Sequence, residues 1–321
     1  MDLTKIDPLS YQPDPKNYQL TEELKSAVKV AIKLGQPLLL TGDPGTGKTL
    51  LAHKIAHDLS KTNKIFYERP FVFNTKTTST ATDLFYTYDA IRHFYDANIK
   101  KEVIEKALKI SNYIQMQALG KAIALSSRKE IEAKEFINIP EEEPKSSVVL
   151  IDEIDKAPRD FPNDILDEIE NFRFEIKEAD NYKITKDSDQ RIIIIMTSNS
   201  EKNLPDAFLR RCVFYHIPFP QKENLFQIVR SQLGANSKYS DNDLNDLIEL
   251  FLNIRRIIKK KKPATAELIA WLKILEVEDF VTDSKVDLNN MSEDQKKILL
   301  SSYSVLAKTI EDSQCVEEEN L

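Results

Sequence analysis

The chain has 321 residues, of which 41% are apolar and 30% charged, and it carries a net charge of −7. That length buries a sizeable core, as one large domain or two modest ones, and the composition excludes a disordered or fibrous protein. The longest strongly apolar run, "IIIIM" at 192–196, is far too short to span a bilayer, and the acidic balance argues against broad non-specific nucleic-acid binding.

Residues 20–34 predict a helix with Leu24, Val28, Ala31 and Leu34 on one face. "PLLLT" at 37–41 suits a parallel strand buried on both faces, and "KTLLAHKIAHDLS" predicts a helix. A second strand is expected within "IFYERPFVFN", 65–74, interrupted at Pro70. From 79 to about 127 the pattern reads as helical, with Val103, Ala107, Ile110 and Ile114 at helical spacing, until "IPEEEPK" at 139–145 breaks it. Three more buried strands are expected at "VVLIDE", "RIIIIMTSN" and "CVFYHI", with helices between them. Strands alternating with helices indicate a parallel sheet covered on both faces. Beyond "PFP" at 218–220 the pattern is helical, at 223–233, about 241–258, 264–275 and 293–310, the last opening on the capping-box pair Ser292 and Gln295. The basic run Arg255–Lys262 reads as a solvated helix end, and the tail "EDSQCVEEENL" as frayed. The expected division is an α/β domain over 1–220, with a helical insertion at about 97–146, and a helical region over 221–321. The N-terminus lacks the pattern of a signal peptide, and two cysteines make a disulfide framework improbable, so a cytoplasmic location is expected.

Only six glycines occur, and Gly42, Gly45 and Gly47 fall within six residues. "GDPGTGKT", 42–49, fits G-x-x-x-x-G-K-[ST] between a predicted strand and a predicted helix. Such a loop turns successive backbone N–H groups toward one centre and makes an anion nest at a helix N-terminus. Gly42, Asp43, Pro44, Gly45, Thr46, Gly47, Lys48, Thr49 and Leu50 are the expected nucleotide-binding residues. Lys48 would reach the β- and γ-phosphates, and the Thr49 hydroxyl would ligate Mg²⁺. In "VVLIDEIDKA", 148–157, four apolar residues lead to Asp152 at a strand end, placed to hold Mg²⁺. Glu153 would then act as general base toward a water, unless the two acids only cap the next helix. Asn199, ending the strand "IIIIMTSN", suits either a turn or a hydrogen bond to the γ-phosphate or the attacking water.

Together "PLLLTGDPGTGKT", "DLFYTYDA", "LIDEIDKAPRDFPNDIL", "TSNSEKNLPDAFLRRCVFYHIPFP" and "KKPATAELIAWL" resemble the AAA+ ATPases, and within them the MoxR-like group, over roughly residues 18–275. The resemblance implies a P-loop sheet in order 5-1-4-3-2 sandwiched by helices, then a small all-α lid. It implies ATP and Mg²⁺ as cofactors, and rings of like subunits, usually six, with ATP at the seam. Arg210 and Arg211 would then face the next subunit, one as an arginine finger, with Arg211 the better match; the alternative is a salt bridge to an acid such as Asp206. A protein client is implied, with a von Willebrand factor A domain among the known partners of the group. The runner-up is a nucleic-acid-stimulated motor resembling the AAA+ restriction GTPases. A third reading is a nucleotide-gated adaptor.

One departure stands out. Where MoxR-like proteins carry a lid arginine in a "SPRA"-type turn, this chain reads "KKPATAEL", with Thr265 at that place and Lys261 or Lys262 as substitutes. His53 and His57 share a helix face, but Lys54 stands where a zinc protease has its glutamate, so an exposed polar face is expected. The aromatics Phe85, Tyr86, Tyr88, Phe94 and Tyr95 are expected to pack on the sheet or to face a substrate. Cys212 is expected to be a small core residue.

Overall fold

The apolar run Leu38–Thr41 forms strand β1, buried along its whole length in the computed structural model, which describes residues 14–99, 109–127, 143–187, 189–200, 204–234, 237–280 and 291–318. It is joined by β2 (Phe71–Asn74), β5 (Ser147–Asp152), β8 (Ile192–Thr197) and β9 (Val213–His216) in one parallel sheet of order β2-β5-β8-β1-β9. Numbered one to five along the chain, these strands stand 5-1-4-3-2, the expected order. The central strands β1, β5 and β8 are almost wholly apolar because a parallel sheet buries both faces.

The chain packs as two units. One, the sheet unit, comprises Leu20–Gly42 and Leu51–Ile217; the other, the helical unit, comprises the described residues of Met1–Gln19, Asp43–Leu50 and Pro218–Leu321.

In the sheet unit, α1 (Glu22–Leu34) opens on Thr21, whose hydroxyl accepts from the Leu24 N–H, and closes on the left-handed Gly35. Leu24 and Ala31 are buried, but Leu34, the last helical residue of the predicted face, is 62% exposed. Pro70 does break the second strand: only Phe71–Asn74 joins the sheet, and Phe66 makes one isolated bridge to Ser146. The expected helix over 79–127 is overturned. Tyr86–Tyr88 (β3) pairs antiparallel with Ile114–Met116 (β4); helix α3 (Ala90–Ile99) lies in the connection between these strands and α4 (Ala118–Ser126) follows them. Ile110 begins a 3₁₀ turn and Ile114 a strand, while Val103 and Ala107 lie outside the described residues. Strands of three residues carry too little period-two signal to stand against the helical spacing around them. A second unforeseen hairpin, β6 (Arg173–Ile176) with β7 (Tyr182–Thr185), follows the short helices α5 (Phe161–Asp164) and α6 (Leu166–Asn171). Its turn places Asp180 and Asn181 at positive φ, which short polar side chains tolerate. The last strand is also corrected: β9 pairs with β1 alone, and as an edge it leaves Phe214 49% exposed instead of buried. It follows α7 (Asp206–Leu209).

The helical unit packs α8 (Lys222–Leu233), α9 (Asp241–Ile257), α10 (Thr265–Val277), α11 (Glu293–Ser302) and α12 (Ile310–Glu318) around the fully buried Trp271. Its indole donates to Ser302 at 2.7 Å. The capping box of Ser292 and Gln295 is present. Two expectations fail here: the helix from 293 stops at Ser302, and the acidic tail is a helix, α12, with Val316 buried. The cause is Asp312, 1% exposed, whose carboxylate accepts from the backbone N–H groups of Lys259 (3.2 Å), Lys260 (3.1 Å) and Lys261 (3.2 Å) and from the Thr309 hydroxyl (2.8 Å). Burial pushes this carboxyl up, but those four hydrogen bonds together outweigh it and hold it below the ordinary carboxylate value. Asp312→Ala strips three partly buried backbone N–H groups of their acceptor and is expected to cost about 3 kcal/mol. Urea unfolding followed by Trp271, the only tryptophan, reads that loss inside this unit. Because the folded pKa is depressed, the contribution is complete above the unfolded carboxylate pKa of about 3.9 and disappears as pH falls through the lower folded value.

Candidate active site

The phosphate loop follows from its glycines. β1 ends at Thr41 and α2 (Lys48–Thr62) begins at the loop lysine, so the motif lies between strand and helix as predicted. Gly45 and Gly47 stand at φ +78 and +86, a region that costs a side chain dearly. A Cβ on Gly47 would lie 2.8 Å from the Tyr18 ring, and one on Gly45 would lie 3.1 Å from the Ala264 Cβ. Both neighbours belong, like Asp43–Leu50, to the helical unit. Lys48 is 7% exposed and its ammonium donates to the Asp43 carbonyl at 3.0 Å. The same carbonyl accepts from the Thr46 hydroxyl at 2.8 Å. Asp43, Pro44 and Thr49 are exposed, and Leu50 is half-buried.

The acid cluster follows from the sheet. In the register of the parallel strands β5 and β8, Ile151 stands opposite Met196, so Asp152 and Thr197 come out at the same sheet edge. The Thr197 hydroxyl donates to Asp152 Oδ1 at 2.6 Å and accepts from the Glu153 N–H at 2.8 Å. Glu153 sits at φ 55, a conformation rare for a residue with a side chain. Its carboxylate makes no helix-capping bond, which sets aside the capping alternative. Instead it pairs with Lys156 through Oε2, while the Asn199 side-chain amide donates to Oε1 at 3.4 Å. Hydrogen bonding to Glu153 raises the Lys156 ammonium above its usual value. The Asn199 N–H donates to Asp155 at 3.3 Å. Asp152, Glu153 and Asn199 are thus brought together, with Thr197 and Lys156 as members that sequence reasoning passed over. Thr197 was legible as the hydroxyl closing an apolar strand; Lys156 had no such signal.

At the end of α7, Arg210 and Arg211 are exposed. Arg211 Nε lies 2.7 Å from Glu170, on α6, so the alternative of a salt bridge within the chain is present, with Glu170 and not Asp206 as the acid. The side chains of this pair are about half exposed, at 47% and 53%.

Other expectations divide. His53 is half-buried instead of exposed; burial holds its imidazole below the usual value, against the opposing charge of Asp152. His57 is also half-buried, beside Asp58. Among the described residues no group of three or more His, Cys, Asp and Glu side chains is arranged to hold a metal ion. Phe85 and Tyr86 are buried and Tyr88 half-buried, whereas Phe94 and Tyr95, on α3, are 74% and 62% exposed. Cys212 is half-buried, and burial pushes its thiol up to about 12. Thr265 is buried with its hydroxyl unpartnered, Lys261 and Lys262 are exposed, and Arg255 is only 12% exposed. The solvated helix end is therefore corrected at Arg255. Among the described residues no helix is long and apolar enough to cross a membrane.

Solved structures similar to this chain include domain III of the Thermotoga maritima replication initiation protein DnaA, at 15% identity and TM-score 0.44 over 90% of this chain and 98% of that one. A variant of Thermotoga maritima RuvB is similar at 17% identity and TM-score 0.43, over 91% of this chain and 69% of that one. No curated protein matches the chain. The model of the AAA domain, dynein-related subfamily, matches residues 37–212, more than half of the chain. The match takes in the phosphate loop, the acid cluster and the paired arginines, and the chain belongs to the dynein-related subfamily of AAA domains.

Proposed function

We propose that this protein is a Mg²⁺-dependent, ATP-hydrolysing machine of MoxR-like type that assembles with like subunits into a ring, usually of six, and remodels a protein client. The observation that carries the reading is the hydrogen-bonded cluster of Asp152, Glu153, Thr197 and Asn199 in a chain that also holds a complete phosphate loop. The Thr49 hydroxyl and the Asp152 carboxylate are hard oxygen donors, and Mg²⁺ takes one or two such protein ligands beside nucleotide phosphates. These two residues would hold the ion, which supplies charge neutralisation on the β- and γ-oxygens.

The remaining work falls to side chains. Backbone N–H groups of the glycine loop and the Lys48 ammonium bind the polyphosphate. Glu153 accepts a proton from a water as the water oxygen attacks the γ-phosphorus and the bond to the β–γ bridging oxygen breaks, releasing ADP and phosphate, with Asn199 orienting the carboxylate or that water. Arg211, with Arg210 beside it, serves the phosphate of a neighbouring subunit. Preference for ATP over GTP and a client bearing a von Willebrand factor A domain follow from likeness to the group, and a cytoplasmic location from the sparse cysteines, which fit a reducing compartment. The nucleic-acid motor loses support at Arg255, since the most buried cation of its basic run pairs with Asp43.

Calorimetric titration of Mg²⁺-ATP into wild type and Lys48→Ala tests the reading. Removal of one charge-assisted phosphate contact, worth about 1.5–3 kcal/mol, is expected to weaken binding roughly 10- to 100-fold. Undiminished affinity in Lys48→Ala would move the nucleotide away from this loop.

A further inference from the structure

Asp43 is an odd residue for a loop that must receive a polyanion. It stands second in the phosphate loop, and its side chain is 58% exposed, so burial does not neutralise it. A unit charge 4–6 Å from another costs about 1 kcal/mol even in bulk water, and several times that in a partly closed site.

The helical unit supplies the counter-charge. Arg255 Nη2 lies 2.9 Å from Asp43 Oδ2. The guanidinium is anchored on two further sides: Nη1 donates to the Pro263 carbonyl, and the plane stands 3.8 Å over the Phe219 ring. Three contacts from three segments leave it 12% exposed and fixed in place. A planar fork that stacks and bonds at once is an arginine property; a lysine offers only a point charge. The same unit presses Ala264 and Glu267 toward Gly45 and Tyr18 toward Gly47, so the loop is packed with the helical unit at three of its residues.

We propose that Arg255 is the positioning residue of this phosphate loop, tying the Asp43 carboxylate to the helical unit so that the loop offers N–H groups and Lys48, and no free carboxylate, to a nucleoside triphosphate. It fills the gap left at Thr265 by a different route: it acts on the loop's own acid and not on the nucleotide. The inference rests on the nucleotide-binding reading above.

The test is a double-mutant cycle on the full chain with Mg²⁺-ATP, scored as the dissociation constant, with Lys48→Ala alongside. Arg255→Ala is expected to weaken ATP tenfold or more, and Arg255→Lys to recover only part of it. In the Asp43→Asn background, where no carboxylate needs holding, the loss from Arg255→Ala is expected to fall below threefold. Asp43 is exposed, so that background folds as wild type does. Hydrogen exchange at the amides of 42–47 should speed up in Arg255→Ala while those of the buried strand Ile192–Thr197 stay slow, an outcome that general destabilisation would not give. Equal losses in both backgrounds, or none in the native one, would overturn the proposal. Failure of the nucleotide reading looks different: Lys48→Ala would then bind ATP as wild type does.

Discussion

Glu153→Gln is expected to bind Mg²⁺-ATP with native affinity and to hydrolyse it about 10²- to 10⁴-fold more slowly, the usual weight of a positioned general base. The substitution is nearly isosteric, and the features that place the residue belong to its backbone. The N–H of Glu153 is held by the Thr197 hydroxyl, and that hydroxyl is held in turn by Asp152. An amide oxygen still accepts from Asn199, so the geometry survives while the proton acceptor is lost. The Lys156 pair is expected to break without large cost, because the two side chains are 51% and 38% exposed and such pairs contribute about 0–1 kcal/mol. That weakness bears on the wild type as well: a carboxylate engaged by Lys156 is not abstracting a proton, and release from a pair this shallow adds little to the barrier. Single-turnover hydrolysis with pre-bound ATP isolates the chemical step. Turnover within threefold of wild type would remove Glu153 from the mechanism and leave the cluster as a structural feature of the sheet edge. The same variant, retaining ATP, suits light scattering for the ring: growth toward a hexamer only with Mg²⁺-ATP supports a seam site, and a monomer in both conditions counts against it.

The parts of this protein that were legible in sequence are those whose constraint is local. A loop of "GDPGTGKT" forces glycine conformations within eight residues, and unbroken apolar runs such as Val148–Ile151 and Ile192–Met196 announce strands buried on both faces. Asp152 directly follows the first of these runs, and Asn199 stands three residues past the second, two beyond the end of its strand at Thr197. What escaped was set by partners distant in sequence. The hairpin of Tyr86–Tyr88 with Ile114–Met116 joins segments whose separate three-residue patterns say nothing. Helix α12 looked like a frayed acidic tail because its anchor, Asp312, is explained only by three amides some fifty residues earlier. Arg255 looked solvated because it stands in a run of cations, and its acid lies at Asp43. In the last two cases a charge that composition assigns to the surface is matched by an opposite charge or a backbone donor from elsewhere in the fold.

Arg211→Ala is expected to lower steady-state ATP turnover by about 10³- to 10⁵-fold, the range for a finger that stabilises charge on the transferring phosphoryl group. Arg210→Ala tests the neighbouring guanidinium, exposed at the same helix end. In the isolated subunit Arg211 is held by Glu170 at 2.7 Å, and the pair is about half exposed on both sides. An ion pair so open contributes about 0–1 kcal/mol, a small fraction of what phosphate contact would return, so it suits a parked side chain as well as a structural one. Two measurements separate these roles. If Arg211 serves a neighbour's nucleotide, Glu170→Ala frees the guanidinium and turnover stays at or above the wild-type level; if the pair is structural, Glu170→Ala reproduces the loss seen in Arg211→Ala. In mixtures, Arg211→Ala subunits keep an intact nucleotide site while Lys48→Ala subunits keep an intact arginine. A ring in which the second serves the first regains turnover that neither protein shows alone, with a maximum at intermediate mixing ratios. Activity that stays at the sum of the two separate proteins at every ratio would confine Arg211 to its own subunit, and Glu170 would then be its proper partner.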